Sequence, residues 1–253
     1  MFSKAIVRTP CKSMSAGLTE ANMGLPNYDL AWEQHQGYIA ALEECGLQVT
    51  VLPPLESYPD SCFVEDVALL TPKCAILTHP GAPSRRGEVQ HIVKAVEQFY
   101  PSLEHINLPG TVEAGDIMMV KDHFYIGLSA RTNAQGAEQL IDILGKYNLT
   151  GSMVEMSELL HLKTGVSYLE NNNLLTFGEM HNHPIFNHFK RIEIAKEESY
   201  AANSVWINGT ILVPKGFPNA LKAIQQLGYP TIEVSMSEFQ KLDGGLSCLS
   251  LRF

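Results

Sequence analysis

Five polar or reactive residues recur along the chain at a nearly constant spacing. Separations of 47, 48, 42 and 45 residues connect Asp66, Glu113, His161, Asn203 and Cys248 in that order. Each of them lies just after one short β-like run and just before another. Self-similarity at a period of this size is typical of repeat architectures such as propellers. If the repeated units surround one axis, equivalent positions converge there, so the spacing predicts that a thiol, an imidazole and two carboxylates meet at one centre.

The last of these residues follows two consecutive glycines, Gly244 and Gly245, and precedes an alternating apolar run. Paired glycines let another group approach the backbone closely, because no Cβ is in the way. An arbitrary cysteine beside a strand is more often a small apolar core residue than a reactive group. The register of Cys248 with His161 favours the alternative, which is a nucleophile held where a strand begins.

The composition disfavours several classes of protein. Asp and Glu outnumber Lys and Arg by 27 to 18, which gives a formal net charge of −9. An acidic chain disfavours nucleic acid or an anionic membrane as the main partner, and it suits a cationic substrate weakly. Hydrophobic residues make up 45% of the 253 positions, an ordinary balance for a globular chain that buries a core. No apolar run approaches membrane-span length, and the N-terminus lacks a signal-peptide core.

The cysteine content indicates the redox environment. The five cysteines form no closely spaced pair of the kind that binds metals. An odd number of cysteines without a secretion signal predicts reduced thiols and a cytoplasmic location. Because no low-complexity segment or linker interrupts the chain, we expect one domain over residues 1–253.

Hydrophobic periodicity predicts short strands alternating with helices. The predicted helices cover residues 28–45, 85–99, roughly 133–147 and about 218–227. Strands are predicted at 3–8, 47–52, 67–70, 75–78, 116–120, 123–127, 166–169, 174–177, 205–207 and 211–213. Asn208 and Gly209 predict a tight hairpin between the last two strands. Residues 11–26 show little periodicity and predict a loop, either a surface connection or a lid with Leu18 at its tip.

Five stretches resemble the motifs of the dimethylarginine dimethylaminohydrolase family, within the amidinotransferase and arginine deiminase superfamily. They occur in order over nearly the whole chain: Ser61-Cys62-Phe63-Val64-Glu65-Asp66, Gly110-Thr111-Val112-Glu113-Ala114-Gly115-Asp116, His161-Leu162-Lys163-Thr164-Gly165, Ala202-Asn203-Ser204 and Gly244-Gly245-Leu246-Ser247-Cys248. The resemblance implies an α/β fold, a five-bladed α/β propeller with pseudo-fivefold symmetry (the pentein fold), which agrees with the period. It implies no metal and no organic cofactor.

The resemblance also implies roles for individual residues. The matched catalytic positions are Cys248, His161 and Glu113. The matched substrate-binding positions are Leu18, Asp60, Phe63, Glu65, Asp66, Arg85, Arg131 and Leu242. Among these, Arg85 and Arg131 would hold the α-carboxylate of an amino acid, a task that suits the bidentate fork of arginine. Asp60 and the backbone near Leu242 would hold its α-amine.

These residue types suit chemistry on a guanidinium group, whose carbon is a poor electrophile because resonance spreads its charge. A thiolate at Cys248 can attack that carbon and leave a covalent amidino-thioether. His161 would protonate the departing amine and later take a proton from water. Asp66 and Glu113 would accept hydrogen bonds from the guanidinium N–H groups. Because carboxylates outnumber the imidazolium, we expect a neutral Cys248 thiol until a cationic substrate arrives.

The expected activity is hydrolysis of N-omega-methylated arginines to citrulline and methylamine or dimethylamine. An arginine deiminase, an amidinotransferase or a non-catalytic binder of arginine analogues remain alternatives. A weaker rival is a zinc site built from Glu179, His181, His183 and His188, where we favour a polar loop. The expected partner is a small guanidino amino acid, with no nucleic acid and no membrane, and the chain is expected to be a monomer or a homodimer.

Overall fold

The structure, a computed structural model, describes residues 1–253 and contains fifteen strands and six α-helices. The strands are β1 Lys4–Arg8, β2 Gln48–Leu52, β3 Ala68–Leu70, β4 Ala75–Leu77, β5 Leu103–His105, β6 Ile117–Val120, β7 His123–Leu128, β8 Thr150–Glu155, β9 Val166–Tyr168, β10 Asn173–Thr176, β11 Lys190–Glu193, β12 Val205–Ile207, β13 Thr210–Pro214, β14 Thr231–Val234 and β15 Leu251–Arg252. The α-helices are α1 Tyr28–Glu44, α2 Val93–Glu97, α3 Ala134–Lys146, α4 Leu162–Gly165, α5 Pro218–Gln226 and α6 Ser237–Gln240.

All five sheets share one plan, in which a central strand pairs antiparallel with one neighbour and parallel with the other. Four sheets use consecutive strands, β3-β4-β5, β6-β7-β8, β9-β10-β11 and β12-β13-β14. The remaining sheet joins the two ends of the chain, since β15 pairs with β1 and places Ile6 opposite Leu251. The expected five-bladed α/β propeller is confirmed.

The connection between the two parallel strands of a unit differs from blade to blade. The predicted helices at 28–45, 133–147 and about 218–227 match α1, α3 and α5. The helix predicted over 85–99 was wrong, because the chain forms a 3-10 helix, Pro83–His91, followed by the short α2. Gly87 weakens an α-helix at this point. It also packs so closely on Tyr58 that an added Cβ would lie 2.2 Å from the phenol oxygen.

Four strands lie outside the ranges predicted from the sequence, and each is the outer parallel strand of its unit: β5, β8, β11 and β14. These strands lie at a sheet edge and are partly exposed, so they lack a continuous apolar pattern. Inside α1, Leu30 is 40% exposed, whereas Tyr38 is fully buried. The hairpin at Asn208 and Gly209 is confirmed, with φ angles of 52° and 100°.

In every sheet, a short helical turn precedes the strand that pairs antiparallel with the central strand. This arrangement explains the period in the sequence. Each turn carries or adjoins one residue of the periodic set. The turns are Val64–Val67, Ala114–Asp116, α4, Lys196–Ala202 and Ser247–Leu249. Equivalent turns of a ring face the same end of its axis, so their side chains converge there. No helix combines the length and the apolar character needed to cross a bilayer.

Candidate active site

A narrow cleft opens at the end of the ring where the five turns meet. Its lining residues are Leu18, Thr19, Glu20, Asp60, Phe63, Asp66, Arg85, Glu113, Arg131, Leu160, His161, Leu242, Asp243, Gly244 and Cys248. Every residue predicted from the sequence is among them except Glu65. The structure therefore brings the thiol, the imidazole and two carboxylates to one centre, as the spacing predicted.

Cys248 lies in the turn that precedes β15, where the Gly245 N–H donates to its Sγ at 3.3 Å. Burial raises the pKa of the thiol to about 12, with further contributions from the negative charges of Glu65 and Asp66. The hydrogen bond from Gly245 and the charge of Lys163 act in the opposite direction but do not compensate. The thiol is therefore protonated at neutral pH, in agreement with the expectation from the carboxylate surplus.

The two glycines before the nucleophile allow close approach. A Cβ on Gly244 would lie 2.1 Å from Phe63 Cε1, and one on Gly245 would lie 2.5 Å from Asn203 Cγ. Asn203 Oδ1 accepts a hydrogen bond from the Ser247 N–H at 2.9 Å, and Asn203 Nδ2 donates to the Ser247 hydroxyl at 3.0 Å. Asn203, the fourth periodic residue, thus stabilises the turn that carries the nucleophile and does not line the cleft.

His161 donates a hydrogen bond from Nε2 to Glu113 Oε2 at 3.0 Å, and Glu113 is 1% exposed. Burial alone would lower the pKa of His161, but the charge of Asp116, the bond to Glu113 and the charge of Asp66 raise it to about 9. The side chain is therefore an imidazolium at neutral pH. It carries the proton that a departing amine requires.

Asp116 ends the Glu113 motif, and the sequence predicted no functional role for it. It is fully buried and accepts hydrogen bonds from the Leu162 N–H at 3.0 Å and the Ser129 hydroxyl at 2.7 Å. Its charge is the largest influence that raises the pKa of His161. The signal that pointed to it was its place at the end of the Glu113 motif, directly before β6.

Asp66 is tied to the opposite side of the centre. One carboxylate oxygen forms an ion pair with Arg85, and the other accepts the Gly115 N–H at 2.9 Å. Burial would raise the pKa of Asp66, but Arg85 and then His161 hold it below its ordinary value. Asp66 therefore stays ionised and can face a cation.

Arg85 lines the cleft, but most of its N–H donors already bond to acceptors within the protein. Its guanidinium also bonds to Glu88 and to the carbonyl oxygens of Phe63 and Asp60. All three guanidinium nitrogens thus have acceptors within the protein. The predicted contact of Arg85 with a substrate carboxylate stays a prediction, whereas its hold on Asp66 is visible.

Arg131 is the more available of the two arginines. Its side chain is 22% exposed, and its nearest charged partner is Glu113 Oε1 at 3.5 Å. The backbone of Arg131 packs so tightly on Gly81 that a Cβ there would lie 2.3 Å from its carbonyl oxygen. The turn that carries Arg131 is therefore fixed while its guanidinium remains accessible.

The loop over residues 11–26 crosses the mouth of the cleft. It contains one 3-10 helix, Lys12–Ala16, and then three contacts to the rim. The Leu18 N–H donates to Asp60 Oδ1 at 3.0 Å, the Thr19 hydroxyl donates to the Lys241 carbonyl at 2.8 Å, and the Glu20 N–H donates to Asp243 Oδ2 at 2.6 Å. These contacts place the loop as a cover over the side of the cleft that Asp60, Leu242 and Asp243 line.

Glu65 is placed differently from its neighbour in the motif. It does not line the cleft, and its carboxylate accepts from the Ser247 hydroxyl at 2.7 Å and pairs with Lys163 at 2.5 Å. It therefore acts on Cys248 from behind, through its charge. A direct contact between Glu65 and substrate stays a prediction.

The four residues of the rival zinc site do not form a ligand group. Glu179 accepts the Ser157 N–H, while the rings of His181 and His188 bond to the hydroxyls of Thr176 and Tyr125. Asp66, Glu113 and His161 form the one group of three such side chains whose potential ligand atoms all lie within 4.8 Å of one another. A metal there would have to displace the proton of His161, whose pKa is about 9, and the ion pair of Asp66 with Arg85.

Comparison with known proteins identifies relatives along the whole chain. The family model for eukaryotic N,N dimethylarginine dimethylhydrolase matches residues 23–168. The N(G),N(G)-dimethylarginine dimethylaminohydrolase of Pseudomonas aeruginosa is 56% identical to this chain, and the match covers 100% of both chains. The enzyme of the same name from Streptomyces coelicolor is 33% identical, over 98% of this chain and 96% of its own.

Solved structures give the same grouping. A Cys-to-Ser variant of the Pseudomonas aeruginosa enzyme bound to citrulline superposes with a TM-score of 0.99 at 56% identity, over 100% of both chains. The N-terminal domain of ArgZ, an arginine dihydrolase of cyanobacteria, shares the fold with a TM-score of 0.89 at 18% identity, over 100% of this chain and 97% of its own. With its ring of five turns and its cysteine-histidine centre, and with these full-length relatives, the chain belongs to the dimethylarginine dimethylaminohydrolase family.

Proposed function

We propose that this protein hydrolyses the guanidinium C–N bond of N-omega-methylated arginines to citrulline and methylamine or dimethylamine. The observation that carries the proposal is the meeting of Cys248, His161, Glu113 and Asp66 in one cleft. Two relatives bear on it. The full-length relative from Pseudomonas aeruginosa has this activity in its name. A His-to-Gly variant of a dimethylarginine dimethylaminohydrolase at 56% identity has been solved as an adduct with S-methyl-L-thiocitrulline.

The first step uses the charge of the substrate. A guanidinium held between Asp66 and Glu113 neutralises two carboxylates, which lowers the pKa of the Cys248 thiol. The thiol releases its proton to solvent, and the thiolate attacks the guanidinium carbon to form a tetrahedral adduct. His161 gives its proton to the alkylated nitrogen, and the amine leaves as the C–N bond breaks.

The second step hydrolyses the amidino-thioether. His161, now neutral, accepts a proton from the attacking water. As the C–S bond of the adduct breaks, the Cys248 sulfur takes up this proton as a thiol, and the hydroxyl proton of the adduct passes to His161 and restores the imidazolium. Glu113 keeps the imidazole oriented through its 3.0 Å hydrogen bond. Water adds the oxygen of citrulline, so no redox partner or external acid is consumed.

The amino-acid end determines which guanidino compound fits. Arg131 supports the α-carboxylate, and Asp60 with the backbone at Leu242 supports the α-amine. Deiminase and amidinotransferase activity differ from the proposal in the leaving group and in the second acceptor. Incubation with dimethylarginine, monomethylarginine and arginine, followed by product analysis, separates them: methylated amine with citrulline supports the proposal, and ammonia as the main product contradicts it.

Three further properties belong to the same proposal. One catalytic domain over residues 1–253 is supported by the pairing of β15 with β1, which joins both ends of the chain. A cytoplasmic location is supported by five unpaired cysteines. The chain acts as a monomer or a homodimer, without a metal or organic cofactor.

A further inference from the structure

A second and larger cavity lies on the side of the ring opposite the catalytic cleft. This rear chamber has a volume of about 830 Å³. Its aromatic wall residues are Phe2, Phe99, Tyr100, Tyr168, Trp206 and Phe253. Several of these rings pack against one another in tilted pairs, for example Phe99 and Phe253 with centroids 5.0 Å apart and an interplanar angle of 59°. The chamber therefore offers flat apolar surfaces to a ligand.

The floor of the rear chamber is a charged cluster directly behind the nucleophile. Glu65 accepts the Ser247 hydroxyl at 2.7 Å, and its other oxygen lies 2.5 Å from Lys163 Nζ and 3.5 Å from Arg252 Nη2. Two cations thus share one carboxylate. Both side chains are mostly buried, with exposed fractions of 16% for Lys163 and 13% for Arg252.

The cluster leaves hydrogen-bond donors unfilled. Lys163 Nζ has three N–H donors and one carboxylate partner. Arg252 uses Nη1 for the Ser247 and Ser250 carbonyl oxygens and the Ser250 hydroxyl, but Nη2 has only the distant contact with Glu65. The remaining N–H donors of Lys163 and Arg252 are partly buried, and they favour a ligand that supplies hydrogen-bond acceptors.

The charges along the rear chamber also favour an anion. Its charged side chains are the cationic Lys4, Lys121, Lys163 and Arg252 and the acidic Glu65, Asp122 and Glu170. This positive surplus occurs in a chain whose formal net charge is −9. A cationic floor below aromatic walls is complementary to an anion attached to a flat apolar body.

We propose that the rear chamber is a second binding site, which takes a small aromatic carboxylate on Lys163 and Arg252 and is coupled to Cys248 through Glu65 and Ser247. A bound carboxylate competes with Glu65 for its two cations and adds a negative charge behind the nucleophile. Both changes disfavour the thiolate. Occupancy therefore slows the attack on substrate without touching the cleft.

Binding is tested with 2-naphthoate and the full-length protein, by titration calorimetry. We use the Cys248→Ser variant, so that the result does not depend on turnover. Charge-assisted hydrogen bonds make 2-naphthoate bind about tenfold or more tightly than neutral 2-naphthylmethanol. Equal affinities, or no 2-naphthoate binding at millimolar concentration, overturn the proposal. Inorganic phosphate is run beside them, and phosphate that binds as tightly as 2-naphthoate contradicts the role of the aromatic walls.

Variants locate the site. Lys163→Met should weaken 2-naphthoate about tenfold, whereas Lys222→Met, on the exposed face of α5, should leave it unchanged. If Lys163→Met does not fold, Lys121→Glu and Lys121→Gln replace it, since this chamber residue is exposed and the two variants differ only in charge. Weaker binding to the glutamate variant supports the site, and identical binding to both contradicts it.

Coupling is measured in the enzyme with Cys248 intact. Saturating 2-naphthoate should slow alkylation of Cys248 by iodoacetamide about threefold or more, in the direction that a raised thiol pKa dictates. It should lower kcat for dimethylarginine while KM stays constant. A rise in KM with constant kcat would show that the carboxylate binds at Arg131 in the cleft, and that result overturns the rear site.

Discussion

The two ends of the catalytic cleft are built from different parts of the fold. The reacting end consists of Asp66, Glu113, His161 and Cys248, which lie on or beside the turns of the ring. The amino-acid end consists of Leu18, Asp60, Arg131 and Asp243, which lie on segments between those turns. The side chains of Asp66 and Glu113 are 5% and 1% exposed, whereas Leu18 is 41% exposed.

This difference separates chemistry from recognition. At the reacting end, burial and neighbouring charges raise the pKa of Cys248 to about 12 and that of His161 to about 9. At the amino-acid end, backbone N–H groups of the cover donate to the buried Asp60 and to the exposed Asp243. Substitutions at the reacting end should therefore change kcat, and substitutions at the amino-acid end should mainly change KM.

The largest effect is expected for Cys248→Ser. The serine hydroxyl is a far weaker nucleophile, so turnover should fall below detection while the fold and ligand binding persist. Rapid quench of the unaltered enzyme followed by intact-mass measurement should show the substrate fragment on the Cys248 peptide. Two results would contradict the covalent mechanism. One is an adduct on Cys62, which is fully buried, and the other is full turnover without any adduct under trapping conditions.

The next effect is expected for His161→Ala. Removing the acid and base should lower kcat by about 10² to 10⁴. Because hydrolysis also needs the base, the amidino-thioether should accumulate where the unaltered enzyme clears it. Mass spectrometry over time measures this, with His183→Ala as the matched control that should turn over normally. Equal clearance rates in the His161 variant and the unaltered enzyme would contradict the role of the base.

The state of the thiol can be read from its pH dependence. Burial and two carboxylates raise the pKa of Cys248 to about 12, so alkylation by iodoacetamide should increase about tenfold for each pH unit between 7 and 9. A bound, non-reacting amidine cation should shift that profile to lower pH. A plateau below neutral pH in the free enzyme would show a standing thiolate–imidazolium pair and would refute activation by the substrate.

At the amino-acid end, Arg131→Gln should raise KM by about 10- to 100-fold, the loss of one charge-assisted pairing with the α-carboxylate. The kcat value should change little, because the reacting end keeps its geometry. Steady-state kinetics with dimethylarginine measure both constants, and a decarboxylated substrate analogue serves as a control that should not distinguish the two enzymes. A main effect on kcat would remove the separation between the two ends.

The sequence predicted the reacting end better than the amino-acid end, for a physical reason. Repetition of one supersecondary unit places Asp66, Glu113, His161 and Cys248 at equivalent positions, so spacing alone carries that information. Asp116 was passed over because its role is exerted through the pKa of His161, which depends on burial and distance and not on spacing.

The misses elsewhere have similar causes. The partly exposed edge strands β5, β8, β11 and β14 carry no continuous apolar pattern, so periodicity did not reveal them. The ion pair of Arg85 with Asp66 follows from a tertiary contact that no local pattern encodes, and the predicted contact of Arg85 with substrate stays a prediction. Glu65 faces the rear of the ring while its neighbour Asp66 faces the cleft. This difference also follows only from the path of the turn.

The smallest effect is expected at the contact that fastens the cover. Asp243 has a φ of 56° and accepts both the Glu20 N–H at 2.6 Å and the Thr19 hydroxyl at 3.1 Å. Asp243→Gly removes both acceptors without backbone strain, since glycine adopts positive φ freely. Two exposed hydrogen bonds contribute about 0.5–1.5 kcal/mol each, and because the cover must close over every substrate, KM should rise several-fold while kcat stays within about twofold.

Asp243→Asn tests the same contact more finely. Asparagine tolerates this φ and keeps one acceptor oxygen, so its KM should lie between those of the unaltered enzyme and the glycine variant. Thr19→Val removes the hydroxyl contacts with both Asp243 and the Lys241 carbonyl, so its KM should rise at least as much as that of the asparagine variant. If Asp243→Gly instead lowers kcat tenfold with an unchanged KM, the cover acts on the reacting end, and the division of the cleft into a chemical end and a recognition end is wrong.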